Sequence, residues 1–508
     1  MSTPRFLIPS LADLFFLSVI AWAFALGQYG WQGLLMDGDV GTHIRVGDYI
    51  VAHHSVPTQD MLSFSKPGGE WYAFEWLTEV IFSLLHAFAG LKGVVLFSGV
   101  IIAAAYTIPL LHAIWRGANP VIALALVLMA VNASSIHFHA RPHIFTLLFI
   151  AIAFWLFDAD RKRKTWKLWL LVPCAVLWTN LHGGFFILFP LLALLVAGCW
   201  AEWLLWRGRD RSDAVRYGLL GVLCAAASLI NPYGVKLHLF LQDYLRSDTI
   251  RNGVQEFQSP SFRSESMLDF MILLFLGLAI TGPLLKKHRL TEALWIWFLA
   301  YSSLVSVRHA LLFMIVALPI VSAELTEWWN GRVRAQPARS LARTFDAITS
   351  QFQCGALRFS VWAPIAVTAL ALTQTSNWPR SFLEGTFPVR IVAAHADEIA
   401  ASRIYTSDKW AGYLIYVNYP RQRVFMDDRH HYFGEKIIQD YLTLGYGNRG
   451  WSEMLERYRF NMVLCDSGSP LASLLKLEPG WILLEDDGKA ALFRLDRHDR
   501  LADDPPIS

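Results

Sequence analysis

Met36-Asp37-Gly38-Asp39-Val40-Gly41-Thr42-His43-Ile44-Arg45 follows an apolar run, 9–29, and this junction decides how the rest of the chain reads. A bilayer core about 30 Å thick takes roughly 20 apolar residues in a helix, so the run is long enough to cross. Two carboxylates one residue apart then stand at the end of a membrane span, with His43 and Arg45 close behind.

Further apolar runs extend outward from that junction. They are 93–114, 119–134, 143–158, 166–181, 184–205, 216–231, 267–285, 291–306, 309–325 and 359–377. The pattern predicts an α-helical polytopic membrane protein with about eleven transmembrane helices. Composition agrees: of 508 residues, 55% are hydrophobic and 17% charged, against about 25% charged in globular proteins. Mean hydropathy is +0.37. The 21 Trp and 33 Phe suit broad membrane interfaces. Arg5 ahead of an apolar run ending near Ala25 resembles a cleaved signal peptide, but the many spans that follow favour a retained first span. Cys174, Cys199, Cys224, Cys354 and Cys465 show no metal-knuckle or disulfide spacing.

Charge placement tests the topology independently. Basic residues gather at Arg5, Arg116, 161–164, 207–216, 286–289 and 332–343. With eleven spans every cluster falls on the side of the N-terminus, which the positive-inside rule makes the cytoplasm. The expectation is a multi-pass protein of a bacterial-type cytoplasmic (inner) membrane, with its C-terminal domain outside. The net charge of +3 is carried in short clusters between apolar runs, which gives a nucleic-acid partner no support.

The outer side receives a different set: the 31–91 loop, the stretch His137-Phe138-His139-Ala140-Arg141-Pro142-His143, Asn180-Leu181-His182, the 232–266 loop with Glu256, and Val307-Arg308-His309. Ionisable groups at membrane depth are costly and mark functional sites by default. Ordinary interfacial loop chemistry accounts for any one of these turns as well, though less readily for a one-sided set. In the first loop, Asp37 and Asp39 can share a divalent cation such as Mg²⁺ or Mn²⁺, with Gly38 letting the backbone fold around it. Such an ion can neutralise a leaving phosphate; alternatively, one carboxylate can act as a general base. A helix cap or a solvated turn explains an isolated D-x-D equally. Farther along, 71–88 reads as an amphipathic interfacial helix, with Glu75 and Glu79 on one face. A polar face turned to water explains that pair at least as well as catalysis.

Beyond the transmembrane domain expected at 1–378, residues 379–508 change character. Short apolar runs at 403–406, 423–426 and 462–465 alternate with helical stretches around 409–418, 434–443 and 469–477. Runs 481–485 and 490–495, joined by Asp486-Asp487-Gly488-Lys489, predict a β-hairpin in a small α/β domain. Neither a GxGxxG nor a P-loop pattern occurs there. Asp427-Asp428-Arg429-His430-His431 reads as a solvated turn, with recognition of an acceptor or ion as the alternative.

These segments together resemble the GT-C fold of membrane glycosyltransferases, and within it the catalytic subunits of oligosaccharyltransferases. Asp39-Val40-Gly41-Thr42-His43-Ile44-Arg45 resembles their first acidic motif, and Val56-Pro57-Thr58-Gln59-Asp60 the segment after it. Gly253-Val254-Gln255-Glu256-Phe257-Gln258-Ser259-Pro260 is similar to S-V-S-E-H-Q-P, whose Glu helps hold the acceptor. Val305-Ser306-Val307-Arg308 resembles V-x-V-R, whose Arg meets the lipid phosphate. Ser407-Asp408-Lys409-Trp410-Ala411-Gly412-Tyr413 is faintly similar to W-W-D-Y-G, but the Asp of that motif is not reproduced. The expected span count is also lower than that family's usual thirteen.

The resemblance implies transfer of a sugar from a polyprenyl-phosphate-linked donor to an acceptor that the sequence leaves unknown. Asparagine as acceptor does not carry over. Asp37 and Asp39 would hold the cation or act as base, and Glu256 would position the acceptor. Arg308, with Arg45, His309 and Arg141, would grip the donor phosphate. His43, His139, His143, His182 and Glu75 would line the cavity, although each lone His also reads as a satisfied structural residue. Two other classes stay open: a non-catalytic relative of the same fold, and a transporter. Transporters place polar groups near mid-span, which this sequence hardly does.

Overall fold

The computed structural model describes residues 7–207, 211–337, 339–356, 360–374 and 378–496. Arg5, parts of the basic clusters 207–216 and 332–343, and the ends of the run 359–377 lie outside the described residues. The chain forms two compact units, Met1–Leu34 with Val95–Trp378, and Leu35–Val94 with Pro379–Ser508.

The first unit is helical. Among the described residues six helices are long and apolar enough to cross a membrane: Trp76–Trp115, which begins in the second unit and continues into the first, Pro120–His137, His143–Lys162, Gly183–Trp206, Ser266–Lys286 and Arg308–Arg334. Shorter apolar helices cover Leu11–Ala25, Trp166–Leu181, Leu290–Val305 and Trp362–Leu372. The run 216–231 falls in the helix Arg211–Ser228, whose first turns are charged. Local chemistry sets several starts. Ser10 and Asp13 form a capping box, and Asn119 caps a helix whose first residue is Pro120. At the end of His143–Lys162, the wholly buried Asp160 accepts from Arg216 (Nη2, 2.9 Å), Tyr217 Oη (3.1 Å) and the Thr165 amide (2.8 Å). A buried carboxylate is tolerable only when held in this way, and the bonds fasten two helix ends together.

The helix Trp76–Trp115 differs from the sequence expectation. The expected interfacial helix 71–88 starts only at Trp76, with 71–75 non-helical, and its remainder and the run 93–114 belong to one helical stretch, broken at Gly90 with φ 63° and ψ −157°. A residue with a Cβ resists that backbone, so Gly90 is what permits the change of direction.

In the second unit four strands are described: β1 (Ile404–Thr406), β2 (Met462–Asp466), β3 (Trp481–Asp486) and β4 (Ala490–Leu495). Their order is β1-β2-β4-β3, with β1 parallel to β2 and the other pairs antiparallel. The hairpin β3–β4 stands where its turn signal indicates. The run 423–426 forms no strand; Val424 instead makes a single bridge to Ser63 of the first loop. Residues 35–94 are thus built into one compact unit with 379–508, whereas the sequence reads 31–91 as a loop of the spans.

One contact explains much of that joining. The helices Asp39–His53 and Asp408–Asn418 pack with backbone against backbone: a Cβ on Gly38 would lie 2.0 Å from the Lys409 carbonyl oxygen. One on Gly412 would lie 2.5 Å from the Gly38 carbonyl. Gly38 itself has φ −66° and ψ −27°, ordinary helical values. Its lack of a side chain therefore serves close approach, not the folding of a loop around an ion.

Candidate functional site

Within the second unit, Asp39 opens the helix Asp39–His53, and its amide donates to Asp37 Oδ1 (3.1 Å). Ligand atoms of Asp37, Asp39 and Asp428 all lie within 4.8 Å of one another. Asp408, Asp428 and His430 form a second such group, so Asp428 belongs to both. Oxygens on one octahedral ion with bonds near 2.1 Å stand roughly 3–4 Å apart. The three carboxylates therefore fit a hard divalent cation after small adjustments.

The neighbours of Asp428 explain its placement. Arg429 makes a two-pronged pair with Asp427 (2.8 Å at both Nε and Nη2) and approaches Asp60 to 2.7 Å. The Asp60 contact is off the hydrogen-bond line, so its attraction is that of an ion pair. Asp60 is itself held by the amides of Leu62 (3.2 Å) and Ser63 (2.9 Å) and by the Ser63 hydroxyl (2.6 Å). The guanidinium lies over the Trp71 ring, 4.5 Å from its centroid. The run 427–431 is therefore no solvated turn: Asp427 is only 1% exposed, and the clamp on both sides of Asp428 fixes its backbone.

His430 bonds Asp408 (Nε2 to Oδ2, 3.0 Å), and the Tyr441 hydroxyl donates to the other Asp408 oxygen (3.3 Å). Burial would raise the Asp408 carboxyl; the bond and charge of His430 outweigh it and hold it low. Burial would depress His430, and Asp408, with Asp39 and Asp427 adding, raises it instead. One turn after Asp39, His43 lies 3.4 Å from Glu79 and 3.8 Å from Glu75. Burial again opposes its charge, but Glu79, Glu75 and Asp39 keep its pKa above the ordinary histidine value. Glu75 precedes the helix whose first turn holds Glu79, so the two share no helical face; both turn to His43, and Glu79 is buried away from water. Arg45 is engaged elsewhere, donating to the Tyr416 carbonyl (2.7 Å) and to Asp48 (2.8 Å).

The first unit holds a separate cluster. Arg141 pairs with Glu256 at 3.2 Å. Burial alone would raise the Glu256 carboxyl, but Arg141, then Arg308, His137 and His143, lower it to about 2. The Ser306 hydroxyl donates to the Glu256 carbonyl (2.9 Å), and the Val307 amide to that of Gln258 (2.9 Å). These bonds tie the loop to the start of the helix Arg308–Arg334. The Arg308 guanidinium lies 4.6 Å from the Phe257 ring centroid.

Other sequence-picked residues serve the framework. His143 bonds the His137 carbonyl (2.8 Å), and His309 faces the Ser302 carbonyl (3.2 Å). His182 meets Thr146 Oγ1 (2.7 Å) and accepts from the Gly184 amide (3.0 Å), while Trp178 Nε1 donates to the same Thr146 (2.8 Å). His139, half-buried two residues before Arg141, stays beside this cluster in the chain. Asp408 is a site residue that the sequence does not single out, although the segment 407–413 contains it; Asp428 and His430 stand in the run 427–431, whose alternative reading, recognition of an acceptor or ion, includes them.

No protein-family model matches the sequence, and no curated protein matches it. Its fold is similar to that of solved membrane proteins. The apo oligosaccharyltransferase of Archaeoglobus fulgidus is 12% identical and has a TM-score of 0.57, covering 90% of this chain and 69% of its own. The same enzyme, tethered to an acceptor peptide containing the NVT sequon, has a TM-score of 0.55 at 12% identity, covering 90% and 68%. ArnT from Cupriavidus metallidurans, bound to undecaprenyl phosphate, is 14% identical with a TM-score of 0.45, covering 94% and 97%. The likeness to the oligosaccharyltransferase is one of fold: this chain has a divergent GT-C fold.

Proposed function

We propose that this protein transfers a sugar from a polyprenyl-phosphate-linked donor to an acceptor at the outer face of the cytoplasmic membrane. The observation that carries this reading is the convergence of Asp37, Asp39 and Asp428 in a chain of GT-C fold. These carboxylates are the oxygen donors that Mg²⁺ or Mn²⁺ prefers, and bound there the cation would supply charge neutralisation for a leaving phosphate.

The protein's own groups divide the remaining work. Arg308 and Arg141 offer planar guanidinium forks, which suit a phosphate better than an ammonium does. Glu256, kept ionised beside them, holds Arg141 in place and presents a carboxylate to an incoming acceptor. The clamp of Asp60, Arg429 and Asp427 keeps Asp428 from moving as ligands exchange. His43, its pKa raised by Glu79, Glu75 and Asp39 against the cost of burial, keeps the first turn of its helix oriented. In this reading Arg45 and His309 belong to the framework and leave the donor to Arg308 and Arg141.

The test is direct. Purified protein reconstituted in lipid is given a radiolabelled polyprenyl-phosphate sugar pool, with Mn²⁺ or with EDTA, and label leaving the lipid is followed. Cation-dependent release supports the assignment. Donor that binds but is never consumed, under any cation, would favour the non-catalytic relative and sink the transferase.

A further inference from the structure

The far ends of the first unit's helices enclose a second polar feature, a cavity of about 650 Å³. Its walls are the ends of Trp76–Trp115 and His143–Lys162, the start of Leu290–Val305, and the last turns of Arg308–Arg334. His143 and Arg308, beside the Arg141–Glu256 pair, begin two of those same helices. From Arg308 to Glu324 the helix rises about 24 Å, close to a bilayer core's thickness. The cavity therefore opens at the opposite membrane surface from that pair.

Its carboxylates are already neutralised. Asp158 is held by His112 (2.8 Å) and Arg116 (3.0 Å). Arg116 (2.8 Å) and Arg289 hold Glu292, while Arg289 (2.5 Å) and Lys287 (2.8 Å) hold Glu324. Lys287 also reaches Glu327 (2.5 Å). Two cations at the rim differ. Lys162 rests its ammonium 4.6 Å from the Trp115 ring centroid, and among the described residues neither it nor Arg334 has a carboxylate within ion-pair distance. The lining as a whole carries one positive charge in excess.

A positively charged recess between helix ends, at headgroup depth and beside an interfacial tryptophan, is the geometry that captures acidic headgroups. Its volume exceeds that of an inorganic phosphate several-fold and lies in the range of ligand pockets. We propose that the cavity binds the phosphate-bearing headgroup of an anionic phospholipid. Lys162 and Arg334 meet the phosphate there, and Asn330, part-exposed on the lining, offers a neutral amide to the headgroup's hydroxyls. The inference does not depend on the proposed sugar transfer, since it uses none of the same side chains.

The experiment titrates the delipidated full-length protein in detergent with phosphatidylglycerol, phosphatidylcholine or inorganic phosphate, reading bound lipid by native mass spectrometry and stability by tryptophan fluorescence. Phosphatidylglycerol should bind and stabilise. Lys162→Gln and Arg334→Gln should each weaken it about fivefold, as expected for one cation removed near a headgroup. Lys286→Gln, an exposed charge outside the cavity, should leave affinity unchanged. Equal binding of phosphatidylcholine, or an equal effect of Lys286→Gln, would overturn the site. Stabilisation by inorganic phosphate alone would overturn the lipid assignment.

Discussion

Replacing Gly412 with alanine probes the contact on which the candidate site rests. The new methyl would stand 2.5 Å from the Gly38 carbonyl carbon and oxygen, where ordinary contacts begin at 3.4 Å. Both clashing atoms are backbone, so the helices Asp39–His53 and Asp408–Asn418 must part by about 1 Å in a densely packed interior. Overpacking of this kind costs about 1–3 kcal/mol, and alanine returns up to about 1 kcal/mol of helix propensity. With that gain returned in full, the expected net loss is about 0–2 kcal/mol. Asp39 adjoins Gly38, so it should shift by a similar distance from Asp428, against a tolerance of about 0.2 Å for metal ligands. Mn²⁺ affinity, read by titration calorimetry, should fall roughly ten- to a hundredfold, as when a ligand's supporting contact is lost. Thermal unfolding followed by tryptophan fluorescence reads the stability term. Gly218→Ala is the control, because a Cβ there meets nothing within 4 Å. If Gly412→Ala behaves like Gly218→Ala in both assays, the backbone contact does not set the carboxylates.

Three further outcomes follow from named contacts. Arg429→Met leaves Asp427 and Asp60 buried without their cation, and should cost about 3–5 kcal/mol in the same unfolding assay; an unchanged midpoint would contradict the clamp. His43 has its pKa raised above 6.5, so its charged form stabilises the fold fully below that value, and the benefit fades as pH climbs through the raised pKa. With EDTA present, the stability gap between wild type and His43→Gln should be widest near pH 5.5 and shrink toward pH 8.5; a gap that widens with pH would refute the assignment. Arg308→Lys keeps charge but loses the fork, and should weaken lipid-linked donor binding by roughly tenfold; equal affinity would remove Arg308 from the donor site.

Much of the fold is legible in the sequence because each membrane-crossing helix carries its own local signal. The apolar run 143–158, bounded by Pro142 and by Arg161-Lys162, announces its helix without help from the rest of the chain. Gly90 shows where such reading weakens, since only the backbone angle reveals one broken helix where two separate elements were expected. The site is harder because its contacts are distant in sequence. Asp37 and Asp39 stand out by spacing, but Asp428 joins them from the other end of the chain. A charged run such as 427–431 normally faces water, and burial here depends on Asp60 and Trp71, which no local pattern announces. For His182 the sequence leaves two readings, cavity lining or a satisfied structural residue, and its bond to Thr146, which Trp178 also reaches, is the kind of distant contact that no local pattern announces.

The most direct test of the account concerns Asp428, which the structure adds to the Asp37–Asp39 pair. Single-turnover consumption of a radiolabelled polyprenyl-phosphate sugar would be measured for wild type, Asp39→Asn and Asp428→Asn, each first shown to unfold at the wild-type temperature. Both variants should lose roughly a hundred- to a thousandfold in rate, the scale of removing one electrostatic contributor to a transition state, and excess Mn²⁺ should restore part of it. A wild-type rate in Asp428→Asn, with Asp39→Asn inactive, would place the chemistry on the first loop alone and contradict the convergent site.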